Sequence, residues 1–215
     1  MKTILTNTLI TTLLFVMLLF NACKKDKNTP VPGVTLPPVP ENTEEIITTI
    51  KLHLTDSASN VISVFGFEDI DGDGGNAGIY LGTNQADSVF TLAANKTYFM
   101  KIILLDKIKT PEDTISNEVK EEGEDHMFFF NQLNPSGTPF TTTLSGSGIK
   151  ITYLDVDDGT PVRGIGLNTR VRTYASTGNI KNQFTITLRH QLGVKDGTFT
   201  PGETDVEIPF KVKVN

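Results

Sequence analysis

Three histidines and a scatter of carboxylates are the side chains of this 215-residue chain with the most chemistry to offer. Imidazole is the usual protein ligand for zinc, copper and haem iron. His126 closes an acidic run of Glu121, Glu122, Glu124 and Asp125 and precedes Met127. His190 ends a stretch in which Phe184, Ile186 and Leu188 alternate with Thr185, Thr187 and Arg189. Its ring continues the inward parity, so it is expected to be buried or to rim a cavity. His126 and His190 are therefore candidate ligands for a transition metal or haem, although no H-x-H or H-E-x-x-H spacing joins them. His53 falls on a wet parity and reads as exposed.

Asp69-Ile70-Asp71-Gly72-Asp73-Gly74 has the D-x-D-x-D-G spacing of calcium loops. Three carboxylates at alternate positions converge on a hard cation there, while glycine allows the sharp turn. Calcium is thus the one candidate cofactor besides a transition metal, with Asp69, Asp71 and Asp73 as ligands and Glu68 or Asp87 free to complete the set. The twelfth position is Tyr80 rather than glutamate, so an acidic hairpin facing water is the simpler explanation. Asp155-Val156-Asp157-Asp158-Gly159 repeats the theme more weakly and reads as an acidic turn. Arg170 and Arg172 share a parity and could fork an anionic ligand. Ion pairs with the acidic middle segment are their simpler use.

Enzyme signatures are missing: there is no G-x-S-x-G elbow, no G-x-G-x-x-G, no Walker loop and no spare thiol nucleophile. The expectation is a non-enzymatic protein. A glycan hydrolase is the remaining catalytic option, since paired carboxylates are plentiful, but the chain has no Trp for sugar stacking. With 19 Lys and Arg against 25 Asp and Glu, the formal charge is −6. Such a chain without a basic stripe has no electrostatic reason to bind nucleic acid.

The elements that must position these residues are strands. Ile46 to Thr55 alternates with period two, as do Ile149 to Tyr153, Phe184 to Arg189 and Asp205 to Val214. Tyr98 to Leu105 is apolar on both parities and reads as a central strand covered on both faces. Pro209 lacks an N–H, which predicts an edge or a bulge there. Thr110-Pro111-Glu112-Asp113 looks like a helix start with Thr as N-cap, but the acidic stretch from Ile115 to Asp125 has only Ile115 and Val119 to bury. The pattern predicts an all-β fold over residues 45–215, an antiparallel immunoglobulin-like β-sandwich of about nine strands with at most one short surface helix.

The first residues are of another kind. Lys2, the apolar run Leu9 to Phe20 and then Asn21-Ala22-Cys23 have the form of an export signal, too short to span a bilayer. Cys23 is the only cysteine, so no intrachain disulfide is possible. Residues 1–22 resemble a bacterial lipoprotein signal, which implies that Cys23 is acylated and becomes the first mature residue. Residues 23–44, with Pro30, Pro32, Pro37, Pro38 and Pro40, read as a semi-rigid tether. The relaxed box with Phe20 and Asn21 before Ala22-Cys23, and the charged tract Lys24-Lys25-Asp26-Lys27, resemble those of Bacteroidota lipoproteins. Phe67 to Ala77, Glu118 to Phe130 and Thr185 to Gly193 are similar to small lipoproteins of that group that carry a type 1 periplasmic-binding-fold label beside TonB-dependent receptors. The resemblance implies a lipid-anchored protein of the cell envelope, on the surface or periplasmic face of the outer membrane, accessory to an outer-membrane transporter. Its fold label would need long helices between strands, so on architecture the alternation is preferred.

Overall fold

The computed structural model describes residues 45–72, 76–82 and 88–215. The expected signal, Cys23 and the tether lie outside them, as do Asp73 and Asp87. Strands form where apolar residues alternate, because a pleated chain turns successive side chains to opposite faces. In β1 (Thr49–Asp56) the alternate residues Ile50, Leu52 and Leu54 are buried to 1% exposure or less. The other strands are β2 (Ile62–Glu68), β3 (Ile79–Leu81), β4 (Val89–Leu92), β5 (Thr97–Leu105), β6 (His126–Phe130), β7 (Thr141–Leu144), β8 (Ile149–Tyr153), β9 (Asn168–Thr173), β10 (Asn182–His190) and β11 (Glu203–Val214). They pair into a seven-stranded sheet, order β3-β2-β1-β5-β9-β8-β7, and a four-stranded sheet, order β4-β11-β10-β6.

The all-β sandwich expected from the periodicity is therefore the architecture formed, with eleven strands among the described residues rather than about nine. Neighbours run antiparallel except β4 and β11, which pair in parallel through Lys211–Val214. That pairing begins only at Lys211, so among the described residues β11 has no strand neighbour on the β4 side at Pro209. The residue without an N–H thus sits where none is needed. Between the sheets lies an aromatic core in which Phe90 stacks on Phe65 at 4.8 Å and meets Phe184 edge-on at 5.2 Å. Residues 165–167 tie the layers together: Phe128 N donates to Ile165 O, and Ile102 N to Leu167 O.

Three local expectations are corrected. The helix α1 spans Ile115–Glu121 with Thr114 at its N-cap position, so it starts after the Thr110–Asp113 segment rather than within it. Asp106 and Asp113 exchange backbone hydrogen bonds of 3.0 Å, which holds residues 106–113 as a closed loop. As expected, α1 is short and buries Ile115 and Val119.

The second correction concerns β5, which is central in its sheet but covered on one face only. Phe99 is 47% exposed and Lys101 is exposed, because the four-stranded sheet already occupies the opposite face. The third concerns β10, which is buried on both faces, Thr185 and Thr187 included. Residues 191–202 fold back over its outer side, where Phe199 packs edge-on against Phe129 at 5.4 Å.

Candidate metal centre

The acidic run starts at Glu121, the last residue of α1, and continues to Asp125, where β6 follows at once with His126. Because β6 and β10 are antiparallel in the register Phe130↔Ile186, their far ends bring His126 directly opposite His190. The two rings stack with centroids 4.3 Å apart and planes 24° from parallel. His126 is fully buried and His190 is 6% exposed. The structure thus brings together the two histidines that the sequence offers as metal ligands, 64 residues apart in the chain. His53 lies on the outer parity of β1, half-buried rather than exposed.

A third group reaches the pair from β11. Leu188 pairs with Val206, but Arg189 pairs with Thr204, so Asp205 is an extra residue in a β-bulge. Bulges re-aim the side chain they carry. Regular alternation would put Asp205 outward, opposite in parity to Val206; the bulge turns its carboxylate to the histidines, where the side chain is 0% exposed. One oxygen lies 3.7 Å from His126 Nε2 and the other 3.9 Å from His190 Nδ1.

The chain around the bulge is tightly strapped. Arg189 stacks over the Phe199 ring and donates to Thr204 Oγ1 at 2.6 Å and to the carbonyls of Thr200, Pro201 and Gly202. Gln191 Nε2 donates to the carbonyls of Thr198 and Pro201. Gly202 has φ +80°, and a Cβ there would lie 2.0 Å from the His190 carbonyl oxygen. Only glycine lets β11 start this close to the end of β10.

The hydrogen bonds select a tautomer. His126 Nδ1 lies 3.2 Å from the backbone carbonyl of Glu122, an acceptor only, so Nδ1 carries the proton and Nε2 presents a lone pair toward Asp205. Metal-bound histidines are held in this way, one nitrogen on a carbonyl and the other on the ion. Neither His126 Nε2 nor His190 Nδ1 has a hydrogen-bond partner among the described residues. Burial, reinforced by the neighbouring His190, pushes the His126 imidazole down to about 4, so it stays neutral and ready to ligate at physiological pH. Tetrahedral zinc with bonds of about 2.0–2.1 Å spaces its donors roughly 3.3 Å apart. The observed separations are within about half an ångström of that.

Glu122 stands at the other edge of His126, its carboxylate 3.9 Å from Nδ1 and its side chain 56% exposed. One donor atom from each of Glu122, His126 and His190 lies within 4.8 Å of the others. Glu122 also lines an acidic cleft of about 490 Å³ with Glu121, Glu124 and Asp155 among its walls. Next to it Lys195 donates to Gly123 O at 2.6 Å and Asp157 Oδ2 at 2.7 Å, a buried pair that fixes the cleft floor.

The other candidates are placed differently. Asp71 accepts from Asn76 Nδ2 at 2.6 Å and from its backbone N–H, so the carboxylate braces its own loop and its pKa is lowered by those bonds. With Asp73 and Asp87 outside the described residues, the proposed calcium set is represented by Asp69 and Asp71 alone. Glu68 pairs with Lys107 and accepts from Thr49 Oγ1. Asp157 is a capping group for its turn, accepting from Gly159 N and Arg163 N. Arg170 and Arg172 share the open face of the seven-stranded sheet, and neither forms an ion pair with the acidic middle segment among the described residues.

Comparison of the chain with protein families, with characterised proteins and with solved structures finds no match.

Proposed function

We propose that the protein is an exported lipoprotein, acylated on Cys23, whose β-sandwich captures a transition-metal ion at His126, His190 and Asp205 and serves as a non-enzymatic accessory to an outer-membrane transporter. The observation that carries the metal reading is the convergence of two buried imidazole nitrogens, each without a hydrogen-bond partner, on one buried carboxylate. Two neutral imidazoles and a carboxylate suit zinc or copper(II). Rings stacked 4.3 Å apart leave no space between them for a haem macrocycle. The anchor is supported by the apolar run before Ala22-Cys23 and by the absence of any other cysteine. Two acyl chains give stable membrane attachment. Accessory status rests on the resemblance to lipoproteins beside TonB-dependent receptors.

Titration calorimetry of the chelator-treated protein with zinc and with copper(II) tests the site. One ion per chain is expected, lost in the His126→Asn/His190→Asn double variant. Failure of the folded wild-type protein to take up either ion in a saturable way would remove the metal reading. For the anchor, the protein made in its own host is expected in the detergent phase of a cloud-point partition, and its Cys23→Ser variant in the water phase. Wild type in the water phase, with a free thiol, would remove the lipoprotein reading and leave the metal reading standing.

A further inference from the structure

The outward face of the seven-stranded sheet gathers cations that the histidine pair does not use. Strand pairing aligns Phe99 of β5 with Arg170 of β9, Arg170 with Thr152 of β8, and Arg172 of β9 with Lys150 of β8. Lys101 comes two residues after Phe99 on the same face. Four cations therefore meet within three adjacent strands of a chain whose net charge is −6. No Asp or Glu occupies an outward position of β1, β5, β8 or β9 to balance them. Lys101, Lys150, Arg170 and Arg172 take part in none of the ion pairs among the described residues.

This arrangement breaks a local rule of sheets. Like charges placed directly across a strand pair destabilise it, and Lys150 and Arg172 are so placed. Natural sequences keep such conflicts mostly where function needs them. The cations also do not stand on a featureless surface. With Phe99 and Tyr174, 47% and 40% exposed, Lys150, Arg170 and Arg172 line a groove of about 430 Å³ with Lys101 outside its lining, and the Arg172 guanidinium lies over the Tyr174 ring at 5.2 Å. Solvent-facing aromatics beside unbalanced cations offer two kinds of contact at once: charge-assisted hydrogen bonds and ring stacking.

We infer that this groove binds a ring-bearing organic oxyanion, a phosphate or carboxylate attached to a planar or cyclic apolar part. The oxyanion is forked by Arg170 and relieves the Lys150–Arg172 conflict, while the ring lies against Phe99. Charge complementarity selects an anion, and the volume falls within the roughly 300–1,000 Å³ of small-ligand sites. An extended polyanion is disfavoured, because the acidic remainder of the chain would repel whatever runs past the four cations.

Calorimetry of the full-length protein in the presence of a chelator, which keeps the histidine site out of the measurement, tests this with three probes. Phenyl phosphate is expected to bind at one site, inorganic phosphate about tenfold more weakly, and benzyl alcohol not measurably. Arg170→Gln should weaken phenyl phosphate about tenfold, the loss of one charge-assisted hydrogen-bond pair. Phe99→Ala should bring phenyl phosphate down to the level of inorganic phosphate without changing the latter. Equal affinity for the two phosphates, an unchanged affinity in Arg170→Gln, or binding of heparin with no binding of phenyl phosphate would each overturn the inference. Both variants change exposed side chains, and circular dichroism identical to wild type establishes that they fold.

Discussion

The exchange of Asp205 for asparagine puts the metal reading under the hardest strain, because it keeps the side-chain shape and removes a ligand. On that reading the donors already stand close to their bound positions. Their separations of 3.7 and 3.9 Å need to close by only about half an ångström, and His126 is held in the ligating tautomer by the Glu122 carbonyl. Little reorganisation opposes binding, so zinc should stabilise the fold by ordinary mass action. At free zinc of about 100 times the dissociation constant, the gain is about 2.7 kcal/mol. For a domain of this size each kcal/mol moves Tm by about 2–4 °C, so a rise of about 5–11 °C is expected. Disturbing even the outer partners of a metal ligand lowers affinity by about 10–100-fold, and loss of the ligand itself reaches at least the upper figure. In Asp205→Asn at the same zinc concentration, the gain falls to about 0.4 kcal/mol, a shift of about one degree. Differential scanning calorimetry with and without zinc reads both numbers. An equal zinc-induced rise in wild type and variant would show that Asp205 is no ligand and that the convergence has another cause.

The packing sets three further outcomes. In Gly202→Ala the new Cβ would press on the His190 carbonyl at a φ of +80°, so a loss of about 2–4 kcal/mol is expected in denaturant unfolding, together with weaker zinc binding. Lys195→Met should lose about 3 kcal/mol by stranding the buried Asp157, whereas a Lys195→Met/Asp157→Asn pair, which removes the stranded charge but keeps the acceptor for Gly159 N and Arg163 N, should recover much of it; equal stability of the two variants would contradict the ion-pair account. Burial, then the neighbouring Glu118, raises Glu45 to about 7, above its unfolded value. The folded state therefore holds that proton more tightly, the penalty for ionising it is complete above about pH 7, and it vanishes below about pH 4.5. Glu45→Gln should accordingly stabilise the protein by about 1 kcal/mol at pH 8, a value reduced for partial solvation, and by nothing at pH 4. A gain independent of pH would refute it.

The strands were legible because one face of most of them is wet. Ile50, Leu52 and Leu54, or Ile208, Phe210, Val212 and Val214, announce their inward parity by alternation alone, and the structure buries them all. Alternation says nothing, however, of what lies on the other side of a sheet. Thr185 and Thr187 look like water-facing residues, yet both are buried, with Gln183 Nε2 donating to Thr185 Oγ1 at 2.9 Å and Thr187 Oγ1 donating to Glu207 at 2.8 Å. The reverse holds for β5, whose Phe99 and Ile103 read as a second buried face. With one sheet available to cover two faces, that one stays open, and Lys101 between them was the local sign.

The candidate site divides along the same line. His190 was readable as an inward residue at a strand end, and His126 as the first residue after an acidic segment, but nothing in either neighbourhood specifies that β6 and β10 pair in the register that stacks them. Register is a property of two strands and of the turns that place them, not of one strand's pattern. Asp205 is the harder case. Its sequence context argues for the wrong face, since Val206, Ile208, Phe210, Val212 and Val214 fix a parity on which residue 205 points to solvent. One inserted residue reverses that locally while leaving every later position in phase. The only trace in the sequence is Gly202, placed three residues before Asp205, where the backbone must pass under the His190 carbonyl. A carboxylate turned inward by a bulge onto two imidazole nitrogens is therefore a feature that hydrophobic patterning hides. It also makes the centre dependent on a few turns of chain, those held by Arg189, Gln191 and Gly202, rather than on the sandwich as a whole.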